Sequence, residues 1–170
     1  MKKFVFTVMT LAFALLSTMS VNAQENFLKR GFRGFAELSE STGFSDAEDE
    51  YLLQAGFTGG YQINRMFFVG GGVAPSLYLY DFELADEIVT GFVMPIYGAF
   101  RADFIDNTIS PFAEIRGGYY ITDHSDSHGG YFYTGGGCRF KRFSVSAGYS
   151  LYAHDHYTGS FATVKAAFEF

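Results

Sequence analysis

The chain has 170 residues, 48% of them apolar and 19% aromatic, a length that suits a single domain. Its formal charge of −6 excludes a nucleic-acid-binding surface, and its one cysteine excludes a disulfide scaffold. Twenty glycines alongside 21 Phe and 12 Tyr argue against both a helix bundle and a disordered chain.

The N-terminal segment reads as an export signal. Lys2 and Lys3 precede an apolar stretch from Phe4 to Leu16, and Val21-Asn22-Ala23 supplies small residues for cleavage. Residues 1–23 are therefore expected to be a signal peptide, with 24–170 as the mature domain. The apolar stretch is short of the ~20 residues a spanning helix needs. Loss of Lys2 and Lys3 also moves the formal charge from −6 to −8.

The rest of the chain alternates with a period of two, the mark of strands with one apolar and one polar face. The predicted strands in chain order are Phe32–Glu40, Leu53–Asn64, Phe67–Leu79, Phe92–Phe104, Pro111–Thr122, Tyr131–Phe140, Phe143–Tyr152 and Ser160–Phe170. Two are clean. Leu53, Ala55, Phe57, Gly59, Tyr61 and Ile63 alternate with Gln54, Gly56, Thr58, Gly60, Gln62 and Asn64. Phe143, Val145, Ala147, Tyr149 and Leu151 alternate with Ser144, Ser146, Gly148, Ser150 and Tyr152. Eight such strands suit a barrel, since a tilted strand needs ~9–11 residues to cross a bilayer.

A soluble lipocalin-like barrel turns its apolar face inward and a membrane barrel turns it outward, so periodicity alone leaves both open. The connections favour the second. Short links (Asn64-Arg65-Met66, Ile105 to Ser110, Lys141-Arg142) alternate with longer ones (Gly43 to Tyr51, Tyr80 to Thr90, Asp123 to Gly129, Ala153 to Thr158). Short turns at one end and long loops at the other are the habit of outer-membrane barrels.

Charge is sorted the same way. The long loops carry Asp46, Glu48, Asp49, Glu50, Asp81, Glu83, Asp86, Glu87, Asp123, Asp126 and Asp155, and no Lys or Arg. Lys29, Arg30, Arg65, Lys141 and Arg142 lie at the short-turn end. Arg33, Glu37, Arg101, Asp103, Glu114, Arg116, Arg139, Lys165 and Glu169 share the polar parity and are expected to form a paired network filling the interior. A narrow ion path through the same charges is the rival reading. Gly70-Gly71-Gly72 and Gly135-Gly136-Gly137 are expected to relieve crowding there.

Aromatics suggest two girdles flanking a lipid-facing band. At the short-turn end stand Phe32, Phe67, Phe104, Phe112, Phe140, Phe143, Phe168 and Phe170 with Tyr61. At the loop end stand Tyr51, Tyr78, Tyr80, Tyr119, Tyr120, Tyr131, Tyr133, Tyr149, Tyr152 and Tyr157. In the last strand Ala162, Val164, Ala166, Phe168 and Phe170 form one outward row. Its closing Phe168 and Phe170 match the aromatic signal that barrel-assembly machinery reads.

Several stretches together carry a family resemblance: Gly60-Tyr61-Gln62-Ile63-Asn64-Arg65 into Phe67-Phe68-Val69-Gly70-Gly71-Gly72, Met94-Pro95-Ile96-Tyr97 with Arg101 before Phe104, and Ser110-Pro111-Phe112-Ala113-Glu114 with Arg116-Gly117-Gly118-Tyr119. The chain resembles the small porin-like outer-membrane β-barrel proteins from about Gly31 to Phe170. The resemblance implies an all-β, eight-stranded antiparallel up-and-down transmembrane barrel and no catalytic residues.

All four histidines fall in the last two long loops. His124, His128, His154 and His156, with nearby Asp side chains, are candidate ligands for Zn²⁺ or another divalent ion. Ser125 or Ser127 beside His124 or His128 raises a lipid A acyl-hydrolase alternative. Barrels with that activity carry His-x-Ser on a strand, and no His-x-Ser occurs here. The expectation is a non-enzymatic outer-membrane protein without a cofactor, monomeric, with extracellular loops and periplasmic termini. Its expected partners are outer-membrane lipid, lipopolysaccharide, the assembly machinery and Mg²⁺ or Ca²⁺ at the acidic loops.

Overall fold

A computed structural model describes residues 30–44, 50–81, 88–105, 109–123, 128–154 and 157–170. The expected signal peptide lies outside the described residues. Antiparallel strands follow one another in chain order: β1 (Gly31–Gly43), β2 (Glu50–Gln62), β3 (Phe67–Val73), β4 (Ser76–Asp81), β5 (Ile88–Asp103), β6 (Ile109–Thr122), β7 (Gly129–Phe140), β8 (Phe143–His154) and β9 (Tyr157–Glu169). β1 pairs with both β2 and β9, β3 and β4 each pair with β2 and β5, and from β5 to β9 each strand pairs with the next, which closes the sheet on itself.

Nine strands make eight staves. β3 and β4 lie end to end between β2 and β5, and the same register runs through both. Phe57↔Val73 continues as Gln54↔Ser76 on one side, and Val73↔Ile96 as Ser76↔Val93 on the other. The predicted strand Phe67–Leu79 is thus a single stave, interrupted at Ala74-Pro75. Proline chemistry explains the interruption. Ala55 N–H donates to the Pro75 carbonyl and Ala74 N–H to the Pro95 carbonyl, both at 3.0 Å. Neither proline has an N–H to return the bond.

The register fixes the barrel's geometry. Crossing from Arg33 to Gly60, Gly70, Ala99, Arg116, Tyr133, Ser150 and Phe161 returns to β1 at Gly43, ten residues further along. Eight staves with a stagger of ten, at ~3.3 Å rise and ~4.8 Å spacing, tilt about 41° from the axis around a backbone radius of about 8 Å.

One loop is shorter than expected. β8 runs to His154 and β9 starts at Tyr157, with His154↔Tyr157 paired, so two residues replace the predicted link from Ala153 to Thr158. Glu50 and Asp81 belong to strands β2 and β4 rather than to loops, and Glu50 is buried. The other loop acids except Asp123 lie outside the described residues.

Alternation places the two faces as the sequence suggests. Phe57 is 46% exposed and Val164 40%, while Arg101 and Arg116 are each 4% exposed. A closed barrel with its apolar row outside and its ions inside is arranged for lipid, not for water.

Candidate functional site

The interior and the outer belt are the surfaces a barrel of this kind works with, and both follow from residue parity. All nine charged residues expected inside are buried, and they divide into two groups along the axis.

At the short-turn end, Arg33 grips Glu169 with two bonds, Nε to Oε1 and Nη2 to Oε2, each 2.6 Å, and also donates to Gln62. Asp103, completely buried, is shared by three guanidinium groups: Arg101 Nη2 at 3.1 Å, and Arg33 Nη1 and Arg139 Nε at 3.5 Å. Three cations against two carboxylates leave this tier one charge positive, and aromatic faces take up part of the excess. The Arg101 guanidinium stands 3.6 Å over the Phe112 ring, and Arg33 stands 5.1 Å from the Phe35 ring.

Halfway up, the second tier balances. Arg116 donates to both Glu37 oxygens, at 2.6 and 2.7 Å, and to Glu114; Lys165 Nζ donates to the other Glu114 oxygen at 2.8 Å. Arg116 Nη1 also donates to Tyr97 Oη at 2.7 Å, and Lys165 Nζ lies 4.5 Å from the Tyr133 ring centre. Burial this deep requires such pairing, because an isolated ion in this setting costs several kcal/mol.

Above the ions lies a layer that the girdle assignment missed. Tyr97, Tyr120, Tyr131, Tyr133 and Tyr152 are buried inside the barrel with Leu52 and Phe161, and Tyr78 packs against them. Tyr131 is 5.7 Å from Tyr97 and 5.2 Å from Tyr152, ring centre to ring centre, and Tyr152 is 5.4 Å from Tyr120. Gln54 Nε2 donates to Tyr152 Oη and Ser76 Oγ, both at 2.8 Å. The loop-end girdle therefore loses Tyr78, Tyr120, Tyr131, Tyr133 and Tyr152 to the interior, and the short-turn girdle loses Phe112. Parity was the available signal. Tyr133 shares the face of Arg139, and Phe112 that of Glu114 and Arg116.

Room for these rings comes from paired glycines. Gly135 faces Gly148 across β7 and β8, and a Cβ on Gly148 would lie 2.8 Å from the Tyr133 ring. Gly60 and Gly70 likewise pair beneath the Phe68 ring. The cavities between described residues are small. A cavity between Glu37, Gln54, Arg116, Tyr131 and Lys165, and another by Phe35, Thr58, Phe68 and Arg101, each leave about 10 Å³ for a water centre, roughly one molecule.

The outer belt is apolar, from Phe32, Phe67, Phe104, Phe140 and Phe170 at the short-turn end through Val69, Val73, Ile96, Ile115 and Val164 to Phe92, Tyr119, Phe132 and Tyr149 above. Phe168 and Phe170 both face outward. Phe170 packs 5.8 Å from Phe57, and its backbone exchanges hydrogen bonds with Gly34 at 3.0 and 3.1 Å. The terminal residue thus completes the β1–β9 seam.

Of the candidate metal ligands, His124 and His156 lie outside the described residues. His128 is exposed, 5.6 Å from the Tyr119 ring, and His154 ends β8. The Gly130↔Ala153 pair brings both to one stretch of rim. Among the described residues no three His, Cys, Asp or Glu side chains gather as a metal site.

No protein-family profile and no curated protein matches the sequence. Solved structures do match in shape. The outer membrane enzyme PagL superposes with a TM-score of 0.57 at 13% identity, over 78% of this chain and 99% of that one. Ail, the attachment invasion locus protein of Yersinia pestis, superposes with a TM-score of 0.52 at 12% identity, over 84% of this chain and all of that one. The two neighbours differ in what they do and agree in architecture: the chain has the fold of the eight-stranded outer-membrane barrels.

Proposed function

We propose that the protein is an integral outer-membrane barrel that neither conducts nor catalyses, and that it serves envelope structure or surface contact through its acidic loops. The observation that carries this reading is the filled interior. Two ionic tiers and a tyrosine layer occupy the bore, and the described cavities hold about one water each. An eight-stranded barrel is just wide enough for side chains to fill it. In this reading the loops are extracellular, the termini periplasmic and the protein monomeric. Its surroundings are outer-membrane lipid and lipopolysaccharide, and Mg²⁺ or Ca²⁺ bridges the loop carboxylates to lipid phosphates. The assembly machinery reads Phe168 and Phe170, and His128 serves as a solvated rim residue.

Planar-bilayer recording on the refolded protein tests the first half: a flat trace is expected, and discrete conductance steps would overturn it. Lipid A from cells expressing the protein tests the second. Its mass spectrum is expected to be unchanged, whereas loss of an acyl chain would make the chain an enzyme.

A further inference from the structure

Glu40 fits neither the interior network nor the loops. It lies on β1 with Phe32, Ala36, Leu38 and Thr42, on the outward parity. By the register it lies level with Tyr119, Phe132 and Tyr149, and it is the one charged side chain on that face from the short-turn girdle up to this level among the described residues. Across the strands it sits between Leu53 of β2 and Val164 of β9, and it makes no hydrogen bond or ion pair among the described residues. A carboxylate facing lipid without a partner is unfavourable, and such residues mark functional sites.

Its surroundings are polar on one side only. Thr42 is the next outward residue on β1. On β8 and β9, Tyr149 Oη donates to Ser160 Oγ at 2.7 Å on the exposed surface, and Phe44 stacks 6.2 Å over Tyr149. Elsewhere at this level the outward wall is Ile96, Tyr119 and Phe132, with Leu77, Met94, Ile121 and Leu151 a step above. Glu40 stands two outward steps below Phe44, about 10 Å along the axis at this tilt. That is the depth of acyl-chain roots rather than of phosphates. No described Lys or Arg faces outward in the belt, so a second copy of the chain brings no cation to the site and would set two carboxylates together.

We infer that Glu40, with Thr42, Tyr149 and Ser160, forms a lateral site for an acylated amino-sugar glycolipid, in which the carboxylate accepts hydrogen bonds from amide N–H and hydroxyl donors at the acyl roots. The inference rests on the proposed orientation, with the loop end in the glycolipid leaflet.

The test is native mass spectrometry of the refolded protein in mixed micelles containing equal monophosphoryl lipid A and phosphatidylglycerol. Both lipids carry phosphate, but only the first has amide N–H groups at its acyl roots. Wild type is expected to retain lipid A about fivefold over phosphatidylglycerol. Glu40→Leu should bring the two lipids to parity. Glu40→Gln, which keeps an acceptor carbonyl, should fall between. A heat-dependent gel shift confirms that each variant is folded. Equal retention of both lipids by wild type, an unchanged preference in Glu40→Leu, or a dimer dissociated by Glu40→Leu would each overturn the site. The orientation is checked separately, by labelling a loop cysteine on intact cells in a background without Cys138. A buried label overturns the orientation whatever the lipid preference.

Discussion

Arg116 shows what a single interior residue does in this barrel. It joins Glu37, Glu114 and Tyr97, which come from three different staves, and it is 4% exposed. Replacing it with methionine keeps most of the volume but leaves Glu37 with the Thr58 hydroxyl as its hydrogen-bond donor and no ion pair, while Glu114 keeps Lys165. Arg116→Met is therefore expected to cost about 3–5 kcal/mol, the usual penalty for stranding a buried charge. Adding Glu37→Gln removes that charge and should recover more than half of the loss. Urea unfolding in micelles, followed by tyrosine fluorescence, measures both, and equal stability of the single and double variants would contradict the pairing. The nine interior ions were legible in the sequence because an ion on the face opposite Phe57 or Val145 has nowhere else to go. The tyrosines of the layer belong to the interior and not to the girdle. Their position along the strand suits an interface, and only the alternation with Arg116 and Arg139 tells that they point inward.

Among the elements, the stave from Phe67 to Asp81 carries the clearest local cause. Its register with β2 and β5 is unbroken, yet the ladder lapses where Pro75 and Pro95 each accept a bond they cannot return. Pro75 is exposed on the outer face, so a β-branched side chain fits there without entering the bore. Pro75→Val supplies an N–H directed at the Ala55 carbonyl. It is expected to add about 1 kcal/mol of stability and a new slowly exchanging amide at position 75. Hydrogen exchange in micelles reads this residue by residue, and a fast amide at 75 would mean that the strand is parted there for a reason other than the missing donor. Strand number and faces could be read from period-two alternation, which depends on each residue alone. The two-residue link after His154 could not, because Ala153 with Thr158 and His154 with Tyr157 continue the ladder through pairing across the turn.

For the whole molecule, stagger and solvent arrangement have to agree. A ten-residue stagger over eight staves sets the tilt near 41° and the radius near 8 Å. That bore accepts two ionic tiers and a layer of tyrosines, so filling follows from register as much as from side-chain choice. The same tilt makes each residue climb about 2.5 Å along the axis, so ten residues span the ~25 Å apolar band of a membrane barrel. Phe32 to Thr42 on β1 is such a span. Polarised infrared spectroscopy of the protein in oriented bilayers should therefore return a strand tilt of about 40°. A tilt near 30° would require a stagger of about seven residues, and the Arg33-to-Gly43 circuit would then be wrong. Such a slip would also part Arg33 from Glu169 and Arg116 from Glu37, because those pairs depend on the strands meeting in this register. An unheated sample in dodecyl sulfate gives an independent reading. The closed barrel with its ions paired should migrate apart from the boiled chain, and Arg116→Met should lower the temperature at which the two bands merge.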